Sequence, residues 1–399
     1  MRARRLLAVV AGVLVLLATF VGGVVVGGHA DATGLTSLRD PLRGFLLGES
    51  GESLPSQVLE VLREDYYKPI DEKKLESLSV DRMIEALDDP YTDYLSADEL
   101  AALRRSYEGS YTGVGLVLAV RGDSLVVRSV VPGGPADRAG ITSGDRLVSI
   151  DGKRLTGPDL AGAAARVRGP EGSEVRLGVV SGGSPVRQLT LTRREISAPR
   201  VLSRLETVGG RKVGYVRLPR FIRGSAGALG DAVKRLRGRG AVALVLDVRQ
   251  DPGGLVREAV GVAGVFLPPD TPVVVTEGLH SPRRTLSTSG DPVAGDLPLA
   301  VLVDQGSASA SEIVAGALRD ADRGTLVGGH TFGKALVQTN LPLRDGGALK
   351  LTTARYLTPD GYDLAKRGLP PDVAVADDPD TPADEVLQRG LRQALAGLP

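Results

Sequence analysis

The chain has 399 residues, too many for one ordinary hydrophobic core, so two or three domains are expected. Its 49 basic and 48 acidic residues nearly cancel, which argues against a nucleic-acid or acidic-ligand surface, and 42% apolar residues with charges spread throughout predict that most of it folds. No cysteine is present, which excludes disulfides, thiol catalysis and thiolate metal sites together.

Leu6 to Gly28 form an apolar run in which Thr19 is the one ordinary polar side chain, preceded by Arg2, Arg4 and Arg5. As a helix this run would span about 35 Å at roughly 1.5 Å per residue, enough for a bilayer core. Arginines on its N-terminal side keep that end cytoplasmic, so the rest of the chain is expected outside, anchored to the cell membrane. Ala30, Asp31, Ala32 resembles a small-residue cleavage signal, so residues 1–29 read as a signal-anchor or as a signal peptide that releases a secreted body. Residues 30–53, rich in Gly, Ser and Asp, read as a linker.

Residues 54–107 read as a small helical segment. Leu54, Val58, Val61 and Leu62 recur at helical spacing, as do Val80, Met83, Ile84 and Leu87, and Ser96 with Glu99 resembles a capping box. Residues 108–195 change texture to short β-rich runs between glycine turns: Val114 to Val120, Leu125 to Val131, Arg146 to Ile150 and Val175 to Val180. Gly113, Val114, Gly115 and Leu116, then Gly133, Gly134, Pro135 and Ala136, make this module resemble a PDZ domain. That resemblance implies a glycine loop offering backbone amides to a ligand's C-terminal carboxylate, with the ligand added to the sheet as a strand. The same glycines would also serve ordinary tight turns.

From 196 to 378 the pattern becomes α/β. Val213 to Leu218, Val242 to Val248, Val273 to Thr276 and Leu299 to Val303 read as strands, with helices at Ala226 to Leu236, Leu255 to Val265 and Ser309 to Leu318. Alternation of this kind predicts a mainly parallel sheet with crossover helices. Residues 379–399 read as a C-terminal helix. The fold class expected is therefore multidomain α+β: an N-terminal membrane helix, a helical segment, a β-rich PDZ module and an α/β core.

Ser309 follows the apolar strand Leu299 to Val303 through Gly306, Ser307 and Ala308, at the start of a helix, where unpaired amides stabilise developing negative charge. The three histidines, His29, His280 and His330, are poorly placed as a base, so lysine is the better candidate. Lys334 stands among Phe332, Ala335, Leu336 and Val337. Working at neutral pH would require its amine to fall about 3 units from 10.4, roughly 4 kcal/mol, and burial must supply that. Gln338, uncharged and four residues on, could orient the amine. On spacing alone Ser307, Ser309 and Ser311 compete, Ser309 with Glu312 is also an ordinary capping box, and Gly253 with Gly254 after Pro252 is either a plain turn or half of an oxyanion hole.

Residues from about 54 to 373 resemble the carboxyl-terminal processing, or tail-specific, proteases, serine peptidases with an inserted PDZ domain. The matching stretches, in order, are Leu87 to Leu95, Tyr111 to Leu116, Leu246 to Leu255, Gly306 to Ile313, Thr331 to Lys334 and Gly368 to Asp372. The resemblance implies Ser309 as nucleophile, Lys334 as general base and Gln338 as its assistant. It also implies oxyanion donors at the amide of Ala310 and at Gly253 or Gly254. The pattern departs from the family at Gln250 and Asp251, where Asn, Asn or Asp, Asn is common, at Gly329 and His330, and at Ala335, where glycine is frequent. No phosphate loop or paired-histidine metal signature is present, so no cofactor or metal is expected.

The expected partners are proteins or peptides with accessible C-termini, the membrane through the N-terminal helix, and, as an open option, further copies of the chain in a homo-oligomer. No nucleic acid is expected. The rival reading is a catalytically silent PDZ scaffold that binds tails without cutting them. Arg168, held outward by the turn Gly169, Pro170, Glu171, Gly172, is the candidate coupler between PDZ module and protease, or else a solvated turn arginine.

Overall fold

Every residue of the strands Ala243–Asp247 and Leu299–Val303 is buried, because both faces of the sheet they share are covered. In the computed structural model the described residues are 53–197, 199–377 and 383–398. The expected membrane helix and nearly all of the linker lie outside them. Among the described residues no helix is long and apolar enough to cross a membrane.

The sheet containing these strands has six members, in the order Leu202–Val208, Arg211–Arg217, Ala243–Asp247, Leu299–Val303, Thr325–Gly328, Val373–Ala374. The first two pair antiparallel through the turn at Gly209 and Gly210, both at positive φ, and the four remaining pairings are parallel. The sheet is thus mixed. Side chains alternate across it: Leu244 and Leu246 pack with helices Ser225–Gly238, Val256–Gly264 and Ala310–Asp320, while Ala243 and Val245 join Val386 and Leu391 of helix Glu385–Ala396 on the opposite face. Each such fully buried Leu or Val contributes roughly 1.5–3 kcal/mol.

A second, wholly antiparallel sheet corrects the expectation of one mainly parallel sheet. Pro272–Glu277, expected to extend the parallel sheet, pairs instead with Ala348–Leu357, which also pairs with Asp93–Leu95 and, as a hairpin, with Leu336–Pro342. Strand and helix alternation along the chain signals a crossover but not which sheet receives the strand, and here the receiving partner lies more than seventy residues downstream. The helices Leu54–Asp65, Glu72–Leu75 and Val80–Ala86 cover this hairpin, burying Val58, Leu62, Tyr66 and Met83 against Leu343, Leu349 and Leu351. Ser96 and Glu99 form the expected capping box on helix Ala97–Tyr107.

The β-rich module folds around its own core, with strands Leu116–Arg121, Ser124–Val130, Arg146–Ile150, Glu174–Val180 and Arg187–Thr192 and helices Pro135–Arg138 and Leu160–Val167. Its incoming and outgoing segments, Ser110–Gly113 and Arg194–Ser197, pair antiparallel, so the module hangs from a two-stranded stalk.

Candidate active site

Strand Leu299–Val303 ends at Asp304, whose carboxylate accepts the Gly306 and Gln250 amides and so ties the turn before Ser309 to the loop after Ala243–Asp247. The same two loops are joined by the Ser307 hydroxyl, which donates to the Val248 carbonyl at 2.8 Å, and by the Ala308 amide and Ser311 hydroxyl, which both donate to the Asp251 carbonyl. These bonds separate the three competing serines. Ser307 and Ser311 are fully buried with their hydroxyls on backbone carbonyls, whereas Ser309 retains 9% exposure. Ser309 also holds φ +56°, ψ −113°, a strained conformation for a non-glycine residue that costs roughly 1–3 kcal/mol and persists because both flanks are fixed.

Glu312, fully buried one turn into helix Ala310–Asp320, joins this turn to that of Lys334. Its Oε2 accepts the amides of Ser309 (2.9 Å) and Lys334 (3.0 Å), and its Oε1 accepts the Gly333 amide (2.7 Å) and the Thr331 hydroxyl (2.6 Å). Tyr356, also buried, donates toward Oε2 and the Ser309 carbonyl. By its spacing from Ser309, Glu312 reads as a capping partner only. The bond from the Ser309 amide to this carboxylate belongs to that box, and four further donors make Glu312 the central acceptor of the site.

Burial holds the Lys334 amine below the usual lysine range, helped by the like charge of Lys350 and opposed by Glu312 and Asp89. Its Nζ lies 5.0 Å from the centre of the Tyr91 ring. Asp89 accepts the Tyr91 amide and the Thr92 hydroxyl, and Thr92 in turn accepts the Thr352 amide, which explains why the stretch Leu87 to Leu95 belongs with the site: it lays Tyr91 over the lysine. No hydrogen bond joins Ser309 Oγ to Lys334 Nζ among the described residues. Ala335 sits at φ +42°, a region glycine enters without penalty. Gln338 follows a bulge in the hairpin, and its Nε2 is buried without a hydrogen-bond partner among the described residues.

Gly253 lies directly against Ser309. A Cβ there would come within 2.9 Å of the serine Cβ and 2.6 Å of the Ala308 carbonyl oxygen, so only glycine fits. The two glycines differ in their amides. Gly253 N–H donates to Asp251 Oδ1 at 2.8 Å, while Gly254 N–H and Ala310 N–H have no acceptor among the described residues. Gly254 is fixed at φ +150° by a bridge to Phe221, with a Cβ position 2.1 Å from the Phe221 carbonyl oxygen.

Gly113, Val114, Gly115 and Leu116 lie away from this cluster. They line a groove of about 330 Å3 between strand Leu116–Arg121 and helix Leu160–Val167, together with Leu118, Ala164 and Val167. The Val114 and Gly115 carbonyls accept the Ala136 and Val131 amides, which fixes the loop, and Gly115 needs its positive φ of 81°. Arg168 lines the end of this groove and also a larger cavity of about 690 Å3 bounded by the stalk residue Tyr111 and by Pro219, Arg220 and Ile222 of the core.

Residues 212–375 match the pattern of peptidase family S41, and residues 126–181 match a PDZ domain. A carboxyl-terminal-processing protease of Synechocystis is 38% identical over 320 residues, covering 79% of this chain and 74% of that protein. A probable CtpA-like serine protease of Staphylococcus aureus is 36% identical over 332 residues, 83% of this chain, and the match spans only 65% of the Staphylococcus protein's length. The solved photosystem II D1 C-terminal processing protease superposes with a TM-score of 0.58 at 34% identity, covering 85% of this chain and 96% of that one. With such identity over nearly three quarters of a carboxyl-terminal-processing protease, the chain belongs to peptidase family S41.

Proposed function

We propose that the protein is a serine endopeptidase that cleaves proteins at or near their C-terminal tails. Ser309 is the nucleophile, Lys334 the general base and Gln338 a group that orients the amine. The Ser309 hydroxyl gives its proton to the neutral lysine amine as Oγ attacks the peptide carbonyl, and the resulting oxyanion is held by the Ala310 and Gly254 amides. The lysine then protonates the leaving amine, and water hydrolyses the acyl-enzyme. The observation that carries this reading is the Glu312 carboxylate, which binds the Ser309 and Lys334 backbones at once, with the Ala310 amide unpaired beside the serine at the start of its helix.

Purified protein incubated with a tail peptide is expected to give products by mass spectrometry, and Ser309→Ala none. Turnover by Ser309→Ala at the wild-type rate would overturn the assignment. Tail binding without cleavage by wild type would favour the silent scaffold.

The groove beside Gly113 to Leu116 captures the tail by strand addition, as peptide-binding modules with an exposed sheet edge do. Arg168 couples that capture to the active site, supported by its place between the groove and the cavity against the core. Arg168→Ala is expected to change turnover of a tail-bearing peptide severalfold while its affinity, read by fluorescence anisotropy, stays unchanged. Unchanged turnover would leave the module as a tether that only raises local substrate concentration.

A further inference from the structure

Asp251 is completely buried, and the reaction described above does not use it. Its Oδ1 accepts the Gly253 amide at 2.8 Å, but its Oδ2 has no hydrogen-bond partner among the described residues. An ionised carboxylate with one oxygen orphaned in a buried site costs far more than a neutral carboxyl in the same place. The geometry alone therefore favours the protonated acid.

Its location gives that proton a consequence. Asp251 opens the turn whose second glycine presents the unpaired amide, and its backbone carbonyl receives the Ala308 amide and the Ser311 hydroxyl from either side of Ser309. By engaging Gly253 N–H it determines that Gly254 N–H is the one left free. We propose that Asp251 is a positioning residue that must be neutral: its protonated carboxyl holds the Gly253 amide so that Gly254 faces the oxyanion, and its ionisation switches the site off. A full negative charge at that turn would oppose the negative charge developing on the substrate oxygen, in surroundings where such repulsion is poorly screened.

Burial pushes the Asp251 carboxyl up to about 8, against the Gly253 amide, Arg220, the nearby Ser311 hydroxyl and Arg217, which pull it down. The buried carboxylates of the flanking elements are already engaged, Glu312 as described and Asp247 with Tyr215 and Arg249. The switch would accordingly operate just above neutral pH.

The proposal rests on the peptidase reading, and two measurements separate their failures. The first is kcat/KM against pH for wild type and Asp251→Asn, an isosteric variant that keeps an acceptor for Gly253 but cannot ionise. Because the lysine titration cancels in the quotient, wild type divided by variant is expected to fall about thirtyfold between about pH 6.5 and about pH 9.5. A flat quotient overturns the proposal. The second is the folding equilibrium of the same two proteins, which requires no activity. With the folded carboxyl titrating near 8 and the unfolded one near about 3.9, the folded state holds the extra proton between them, so the stabilising effect is complete below about pH 4 and is lost as pH rises through 8. Wild type should lose about tenfold in folding equilibrium per pH unit relative to Asp251→Asn across that window. Parallel curves would show an ionised Asp251 and overturn the proposal even if no substrate were cleaved. Absence of cleavage by wild type at every pH would sink the peptidase reading instead.

Discussion

Lys334→Arg is expected to lower kcat by about a thousandfold or more, nearly as much as Lys334→Ala, because guanidinium stays charged at any useful pH and cannot accept the serine proton. The loss should fall on kcat, with the affinity for a tail peptide unchanged, since the groove at Gly113 to Leu116 lies apart from the lysine. Substantial turnover by purified Lys334→Arg would refute the lysine base.

The same residue should also reveal itself in stability. Burial and Lys350 depress the Lys334 amine, so between its folded and unfolded pKa values the folded protein binds fewer protons, and stability rises with pH over that window. Lys334→Met, which fills the space beside Tyr91 without a charge, should therefore be inactive yet more stable than wild type below that window, by thermal melting. A nucleophile's base kept in an unfavourable place for catalysis would give this trade of stability for function, whereas a solvated surface lysine would not.

The turn that bears Ser309 was legible because a buried strand, a glycine turn and a helix follow in immediate succession, and a local pattern suffices to place a turn at a helix start. The neighbouring serines could not be separated that way. What distinguishes Ser307 and Ser311 is a pair of carbonyls, Val248 and Asp251, about sixty residues upstream. Which of Gly253 and Gly254 keeps a free amide was hidden for a related reason: it depends on which amide the Asp251 side chain takes. The antiparallel hairpin of Leu336–Pro342 and Ala348–Leu357 escaped because neither strand shows the continuous apolar run of a strand buried on both faces. The stretch Leu87 to Leu95 was visible only through family resemblance, and its physical role, laying Tyr91 over Lys334, arises from contacts no periodicity encodes.

Glu312 shows most clearly what spacing alone misses, since a glutamate three residues after a serine ordinarily marks a solvated helix start and here is an interior acceptor. Glu312→Ala would leave the Ser309, Gly333 and Lys334 amides and the Thr331 hydroxyl without their acceptor. Buried donors cost roughly 1–3 kcal/mol each when unpaired, so the expected destabilisation is about 4 kcal/mol or more, or roughly 8 °C in melting temperature. Glu312→Gln should not rescue it. Whichever way the amide turns, its NH2 replaces an oxygen that accepts at least one backbone amide, setting donor against donor. Both variants should therefore lose kcat by about a hundredfold or more while tail affinity holds, because the strained turn at Ser309 and the turn at Lys334 lose their common anchor. Glu312→Gln with wild-type melting and turnover would mean that the two turns are held by their own strands, and that the carboxylate is incidental to the geometry of the site.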